Sequence, residues 1–488
     1  MEERKGFGTN FGFLMAAVGS AVGLGNIWGF PNKMGASGGF TFLVIYLILA
    51  VLCGFIVMVG ELALGRKTHH GAVGAYKALS KKFKWMGWMG ILSAFFILFF
   101  YCALGGYCIK YTVLNIGDLF HAGFGANALA ETAAANGNSL GAEVFGAFMS
   151  SPTEAIVYGL IFVAITMIIV IGGIGGGIEK VCSVGMPALF VMLLICIIRA
   201  CTLEGAVDGL KYMFVPGWAV TNGVIEEAPG FLTVLSTAGG QMFFSLSLGM
   251  GAMITYGSYL DKKENLQKNA LLIIIMDTLV ALMAGLCVIP GRFALDPTGS
   301  LGGPKLLFVT MQNVFSRMGP IGPIFGILFY LLVVFAAISS SISLLEAVVA
   351  HFVDNARDAG KGDKRKAYAL IGAVAVGVGA MLICADSLGD ASFTPWRLLN
   401  LPAESIRTWN DCWLDFFDML SEGIMMPLGA LMMTLMVGWE LGPDVVKEEC
   451  EASGHAMASY GFYKVCIKYI TPLCMILVLY GQIKEFFF

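Results

Sequence analysis

Charged residues are scarce in this 488-residue sequence. They make up 13% of it, against about 25% in a soluble globular protein, so much of the surface never meets water. The loop region 111–153 has no Lys or Arg, and 117–153 has no Cys. The twelve Cys lie mostly in apolar runs (Cys53, Cys102, Cys182, Cys196, Cys287) with no zinc-like pair of pairs, so they read as small buried side chains. No basic tract suggests nucleic acid. The first residues, MEERKGFG, lack the short apolar core and cleavage site of a signal peptide.

What is abundant is apolar length. Hydrophobic residues reach 58% and the mean hydropathy is +0.80, which makes a crossing of about 20 apolar residues the natural unit. Eleven such runs lie near 11–35, 40–64, 88–115, 154–174, 180–201, 231–259, 269–291, 321–353, 367–387, 413–440 and 461–485. The stretch 302–317 is too short and polar to cross and reads as a hairpin or re-entrant helix. The fold class is therefore an all-α polytopic membrane protein, one transmembrane domain over 1–488.

The basic residues orient it. With the N-terminus in the cytoplasm, Arg66, Lys67, Lys77, Lys81, Lys82 and Lys84 fall inside, as do Lys262, Lys263 and Lys268. So do Arg357, Lys361, Lys364, Arg365 and Lys366. That asymmetry follows the positive-inside rule and predicts a multi-pass protein of the cell (inner or plasma) membrane.

Two runs are interrupted. The first contains GSAVGLGNIWGFP, residues 19–31, and the sixth contains FFSLSLGMGAMITYGSYL, residues 243–260. Gly costs about 1 kcal/mol in a helix interior, and Pro removes a hydrogen bond. Close packing through small residues explains one such run as well. Two, five runs apart, point instead to inverted halves, 1–5 (about 11–201) and 6–10 (about 231–440), with an extra helix at about 461–485. Unwound backbone then offers carbonyls to a cation and helix N-termini to a carboxylate.

GSAVGLGNIWGFP resembles the first-helix signature of the neurotransmitter:sodium symporters. VGELALGR (59–66), GQMFFSLSLGMGAMITYGSYL (240–260) and FAAISSSISLLEAVVAHFVD (335–354) match in order, and the likeness is to the bacterial eleven-helix branch. The resemblance implies a sodium-coupled amino-acid symporter, not an enzyme, with two sodium ions as coupling ions and no other cofactor. One sodium would use Ala21, Asn26, Ser245 and Asp277 together with the substrate carboxylate. The other would use Gly19 and Val22 carbonyls, Ala336, and the Ser339 and Ser340 hydroxyls. Back-bonding to the helix is the plainer explanation of those serines taken alone.

The same likeness places the amino acid at the breaks. Ala21, Gly23 and Gly25 amides and Tyr101 would hold its carboxylate, and Phe244 and Ser247 carbonyls its ammonium. Ile97, Tyr101, Phe244, Met250, Ser340 and Leu344 would shape the pocket. A flexible Met250 favours bulky apolar or aromatic side chains. Tyr46, Gln241 and Ser245 match the chloride shell of animal relatives, but an acid at 277 makes chloride dispensable. Asp277 sits inside an apolar run, where an ionisable residue needs a partner or cavity; a protonated, structural aspartate is the alternative.

The implied inner gate is Arg4 with Asp354, beside Phe7 and Tyr259. Gly177 and Pro187 mark a place where the fifth helix can unwind. The outer gate departs from the family: Gly29 replaces its Arg, while the Arg's partner matches Asp418. Competing readings are a non-cycling amino-acid sensor, a channel and a membrane enzyme. The gate residues, the paired breaks, and the want of a nucleophile–base pair or metal cluster weigh against them in turn.

Overall fold

The structure is a computed structural model and describes residues 7–298, 303–362, 364–389, 393–399 and 411–487. Within them the chain is helical, without strands, as a bilayer demands of backbone groups that no water can satisfy. Nine helices are long and apolar enough to cross: α3 (Phe40–Thr68), α4 (Met86–Leu119), α5 (Pro152–Ile171), α6 (Ile174–Cys201), α9 (Leu266–Leu295), α10 (Gly319–Asp358), α11 (Arg365–Gly389), α12 (Trp413–Leu441) and α13 (Tyr460–Lys484). A tenth crossing is a pair, α1 (Asn10–Ala21) and α2 (Gly25–Ala36), bent by 46° at its break.

The sixth expected run, 231–259, is too interrupted to count as one helix. It forms α7 (Phe231–Ser245) and α8 (Ala252–Gly257), with non-helical backbone between them. Gly249 and Gly251 there take φ of +80° and +77°, the left-handed region that glycine enters at little cost. Residues 303–317 form a short, largely buried helical segment, anchored where the Tyr330 hydroxyl donates to the Leu307 carbonyl at 2.9 Å.

α4 and α10 pack along one another at the centre with α1 and α9 close by. The most apolar stretch of α4 is 78% buried and that of α6 only 28%, so α4 is interior and α6 turns Val184, Val191, Leu194 and Ile198 outward, the composition expected of a lipid-facing surface. The expected loose point in the fifth run is wound here: α6 is helical across Gly177 and Pro187.

Candidate functional site at two helix breaks

The break in the first crossing places backbone donors against one hydroxyl. The Leu24 N–H donates to the Tyr101 hydroxyl at 2.7 Å, and that hydroxyl also meets Gly25 and Ser340. A Cβ on Gly23 would lie 2.1 Å from the Tyr101 oxygen and 2.2 Å from the Ser340 oxygen, so only glycine lets the backbone come this near. Sequence reasoning chose Ala21 and Gly23 amides beside Gly25. Ala21 closes α1, where its amide belongs to the helix ladder, and the Gly23 N–H is taken by Asn26 Oδ1 at 2.9 Å. The amide that faces the Tyr101 hydroxyl is that of Leu24. Backbone donors carry no side-chain signature, and only the position at the N-terminal end of α2 marks it.

Below them the structure gathers Asn26, Ser245 and Asp277, all buried. Asn26 Nδ2 donates to Asp277 Oδ1 at 2.7 Å and lies 3.0 Å from Ser245 Oγ. Ser245 Oγ is 3.0 Å from both Asp277 carboxylate oxygens, and the Tyr46 hydroxyl donates to Oδ2 at 3.3 Å. Gln241, the remaining residue of the chloride-like shell, instead turns its Nε2 to the Gly25 carbonyl at 2.7 Å. The Asp277 carboxylate therefore lies among two of the three residues of that shell.

A second oxygen cluster joins α1 to α10. Ser339 Oγ lies 2.9 Å from the Ala336 carbonyl and 3.3 Å from that of Val22. Ser340 Oγ lies 3.2 Å from the Gly19 carbonyl and 3.3 Å from that of Val22. Ser339 does back-bond to its own helix; Ser340 reaches across. Carbonyls and hydroxyls gathered without a carboxylate suit a hard monovalent ion at little desolvation cost.

Of the expected pocket residues, Ile97, Phe244, Met250 and Leu344 are buried. The Phe244 ring stands 6.2 Å from that of Tyr101 and 6.3 Å from that of Phe100. Ser247, at φ +54°, donates through Oγ to the Ser20 carbonyl at 2.8 Å, tying the two breaks together. Glu61 went unassigned in the sequence. Its Oε1 accepts from the Gly249 N–H at 2.7 Å, so a buried acid on α3 holds the loop that leads into α8.

A family model described as "SNF: Sodium:neurotransmitter symporter family" matches residues 4–121 and 153–394. The chain belongs to that family. Its relatives include an uncharacterised sodium-dependent transporter YhdH of Bacillus subtilis, 32% identical over 96% of each chain. An uncharacterised sodium-dependent transporter of Haemophilus influenzae is 30% identical over 98% of each. Among solved structures, MhsT in complex with L-phenylalanine superposes with a TM-score of 0.82 at 31% identity, covering 98% of this chain and 100% of that one. The chain is thus a sodium-dependent type of membrane transporter by family, with the fold of MhsT.

The residues that the resemblance implies as gates lie on opposite sides of the breaks. On the Lys-rich side, the Phe7 ring packs edge-on against Phe13, Tyr256 and Tyr259. The Tyr259 hydroxyl donates to Glu346 at 2.6 Å, and Arg365 grips the same carboxylate at 2.5 and 2.9 Å. Asp354 accepts the Gly71 N–H at 2.9 Å; Arg4, its expected partner, lies outside the described residues. On the other side, Lys33 of α2 pairs with Glu422 of α12, with Asp418 beside both. A Cβ on Gly29 would lie 2.8 Å from Gln241 Oε1, so Gln241 fills the space an arginine stem would need.

Proposed function

We propose that this chain is a sodium-coupled amino-acid symporter that imports hydrophobic or aromatic amino acids by alternating access. The observation that carries the reading is the meeting of two chemistries at one hydroxyl pair. Tyr101 collects amide donors at the start of α2, as a carboxylate requires. Ser340, against it, faces the Gly19 and Val22 carbonyls, as a cation requires. A zwitterion and sodium fit side by side there.

In this reading one sodium is held by Ala21, Asn26, Ser245 and Asp277 with the substrate carboxylate. The other is held by Gly19, Val22, Ala336, Ser339 and Ser340. Asn26 Oδ1, which accepts the Gly23 N–H, has a second lone pair to offer the first ion. Leu24 and Gly25 amides with Tyr101 bind the solute carboxylate. Ile97, Phe244, Met250 and Leu344 enclose the side chain, and the carbonyls of Phe244 and Ser247 receive the ammonium. A fixed carboxylate at Asp277 replaces chloride. L-phenylalanine, the ligand in the MhsT structure, is the first solute to try, and the buried apolar lining supports it.

The Lys-rich face is cytoplasmic, the N-terminus with it, and the breaks of α1–α2 and α7–α8 correspond under inverted repeats of about 11–201 and 231–440. A sensor that binds without cycling would share the site. Uptake of radiolabelled L-phenylalanine into proteoliposomes separates the two: a saturable influx driven by an inward sodium gradient is expected. Sodium-dependent binding without influx would leave only the sensor.

A further inference from the structure

The family's outer ion pair cannot form in this chain, since Gly29 stands at the arginine position. What the structure sets between α2 and α12 instead is a lysine one turn along α2. The Lys33 ammonium pairs with Glu422 on α12, where the two side chains are 21% and 8% exposed. The same ammonium stands 6.0 Å from the centroid of the Phe244 ring, the aromatic that covers the proposed solute space. Glu422 lies in the π-turn Met419–Met425, four residues beyond Asp418, and Asp418 faces both Lys33 and Glu422. A Cβ on Gly240 of α7 would lie 3.2 Å from Glu422 Oε1. The pair thus spans the cleft between α2 and α12 with α7 beneath it.

We propose that Lys33 and Glu422 are the outer latch of this transporter, the ion pair whose formation seals the cavity over Phe244 and whose rupture opens it. This rests on the transport reading above. Lys33 is a positioning residue: its charge bridges α2 to α12, and its ammonium lies near the face of the aromatic lid, where a cation is attracted. The pair differs from an arginine fork in kind. An ammonium is a single flexible charge donor without fixed bidentate geometry, so Asp418 serves as a second acceptor along its opening path. Latch strength in this chain is then set by three side chains rather than two.

The test uses full-length protein in right-side-out vesicles and in detergent. Two readouts are taken on Lys33→Met, Glu422→Gln, the double variant, and the charge-swapped Lys33→Glu/Glu422→Lys. The first is dissociation of bound radiolabelled L-phenylalanine in sodium buffer. The second is the labelling rate, by a membrane-impermeant thiol reagent added outside, of a cysteine introduced by Ile97→Cys, measured against the parent with Ile97. Each single variant is expected to release phenylalanine and to label about tenfold faster, the double no faster than either single, and the swap to recover within about threefold. Additive single effects, an unrecovered swap, or labelling and release unchanged in both singles would overturn the latch. Should the native chain bind no phenylalanine, the solute reading falls and the labelling rates alone decide the latch. Glu422→Gln keeps the decision open if Lys33→Met fails to fold.

Discussion

Asn26 touches three partners at once, which makes it the most exposed single point in the proposed sodium chemistry. It bonds two Asp277 oxygens, Oδ1 and the backbone carbonyl, together with the Ser245 hydroxyl and the Gly23 amide. Asn26→Ala is expected to insert normally yet lose roughly 10–100-fold in sodium affinity, the scale of a charge-assisted hydrogen bond worth about 1.5–3 kcal/mol. Sodium-dependent thermal stabilisation checks it; an unchanged midpoint would remove Asn26 from the ion site. Asp277 carries the chloride question. Native uptake should be equal in chloride and gluconate, whereas Asp277→Asn should fall at least tenfold in gluconate and recover partly in chloride. Collapse of native uptake in gluconate would leave Asp277 a structural acid. An acid within an apolar run advertises itself in a sequence, as Asp277 did. Leu24 did not, because its contribution is an amide that every residue but proline owns. Glu61 was quoted within its motif but had no visible partner, since Gly249 is 188 residues away.

At the scale of elements, the breaks decide the chemistry, and their glycines set the backbone path. A Cβ on Gly249 would lie 2.2 Å from the Met426 carbonyl, at a φ of +80°. Gly249→Ala is therefore expected to cost at least the 1–2 kcal/mol or so of a left-handed non-glycine residue, lowering the unfolding midpoint by several degrees and abolishing solute binding. A variant with native stability and binding would show the loop to be adaptable. In α10, Ser339→Ala with Ser340→Ala should weaken sodium affinity about tenfold or more, with a smaller effect on solute affinity at saturating sodium. Equal sodium titrations would reduce both serines to helix back-bonding. The crossings were legible because an apolar run must be about 20 residues long. The sixth was legible as an apolar run and its break from the Gly and Ser pattern, since its halves, of 15 and 6 residues, are each too short to cross alone. The winding of α6 through Gly177 and Pro187 was not legible, because a sequence records where a helix can open and not which state it occupies. Lys33 drew no notice in the sequence for a related reason: the resemblance points to position 29, and Glu422, the partner of Lys33, lies 389 residues away.

For the whole molecule, family and fold followed from ordered motifs, but the joining of distant segments required coordinates. The Ser340 hydroxyl belongs at once to the carbonyl cluster of α1 and to the Tyr101 hydroxyl. A group held in common makes the two occupants thermodynamic partners: whatever factor sodium adds to solute affinity, solute must add to sodium affinity. Phenylalanine titrated with and without sodium, and sodium titrated with and without phenylalanine, should give the same factor in the native chain. In Ser340→Ala that factor should shrink but not vanish, since the first sodium still meets the solute carboxylate in the proposed site. The import of one solute against its gradient would then trace to two points of contact, the Ser340 oxygen and the solute carboxylate itself, through which the sodium gradient is converted into work.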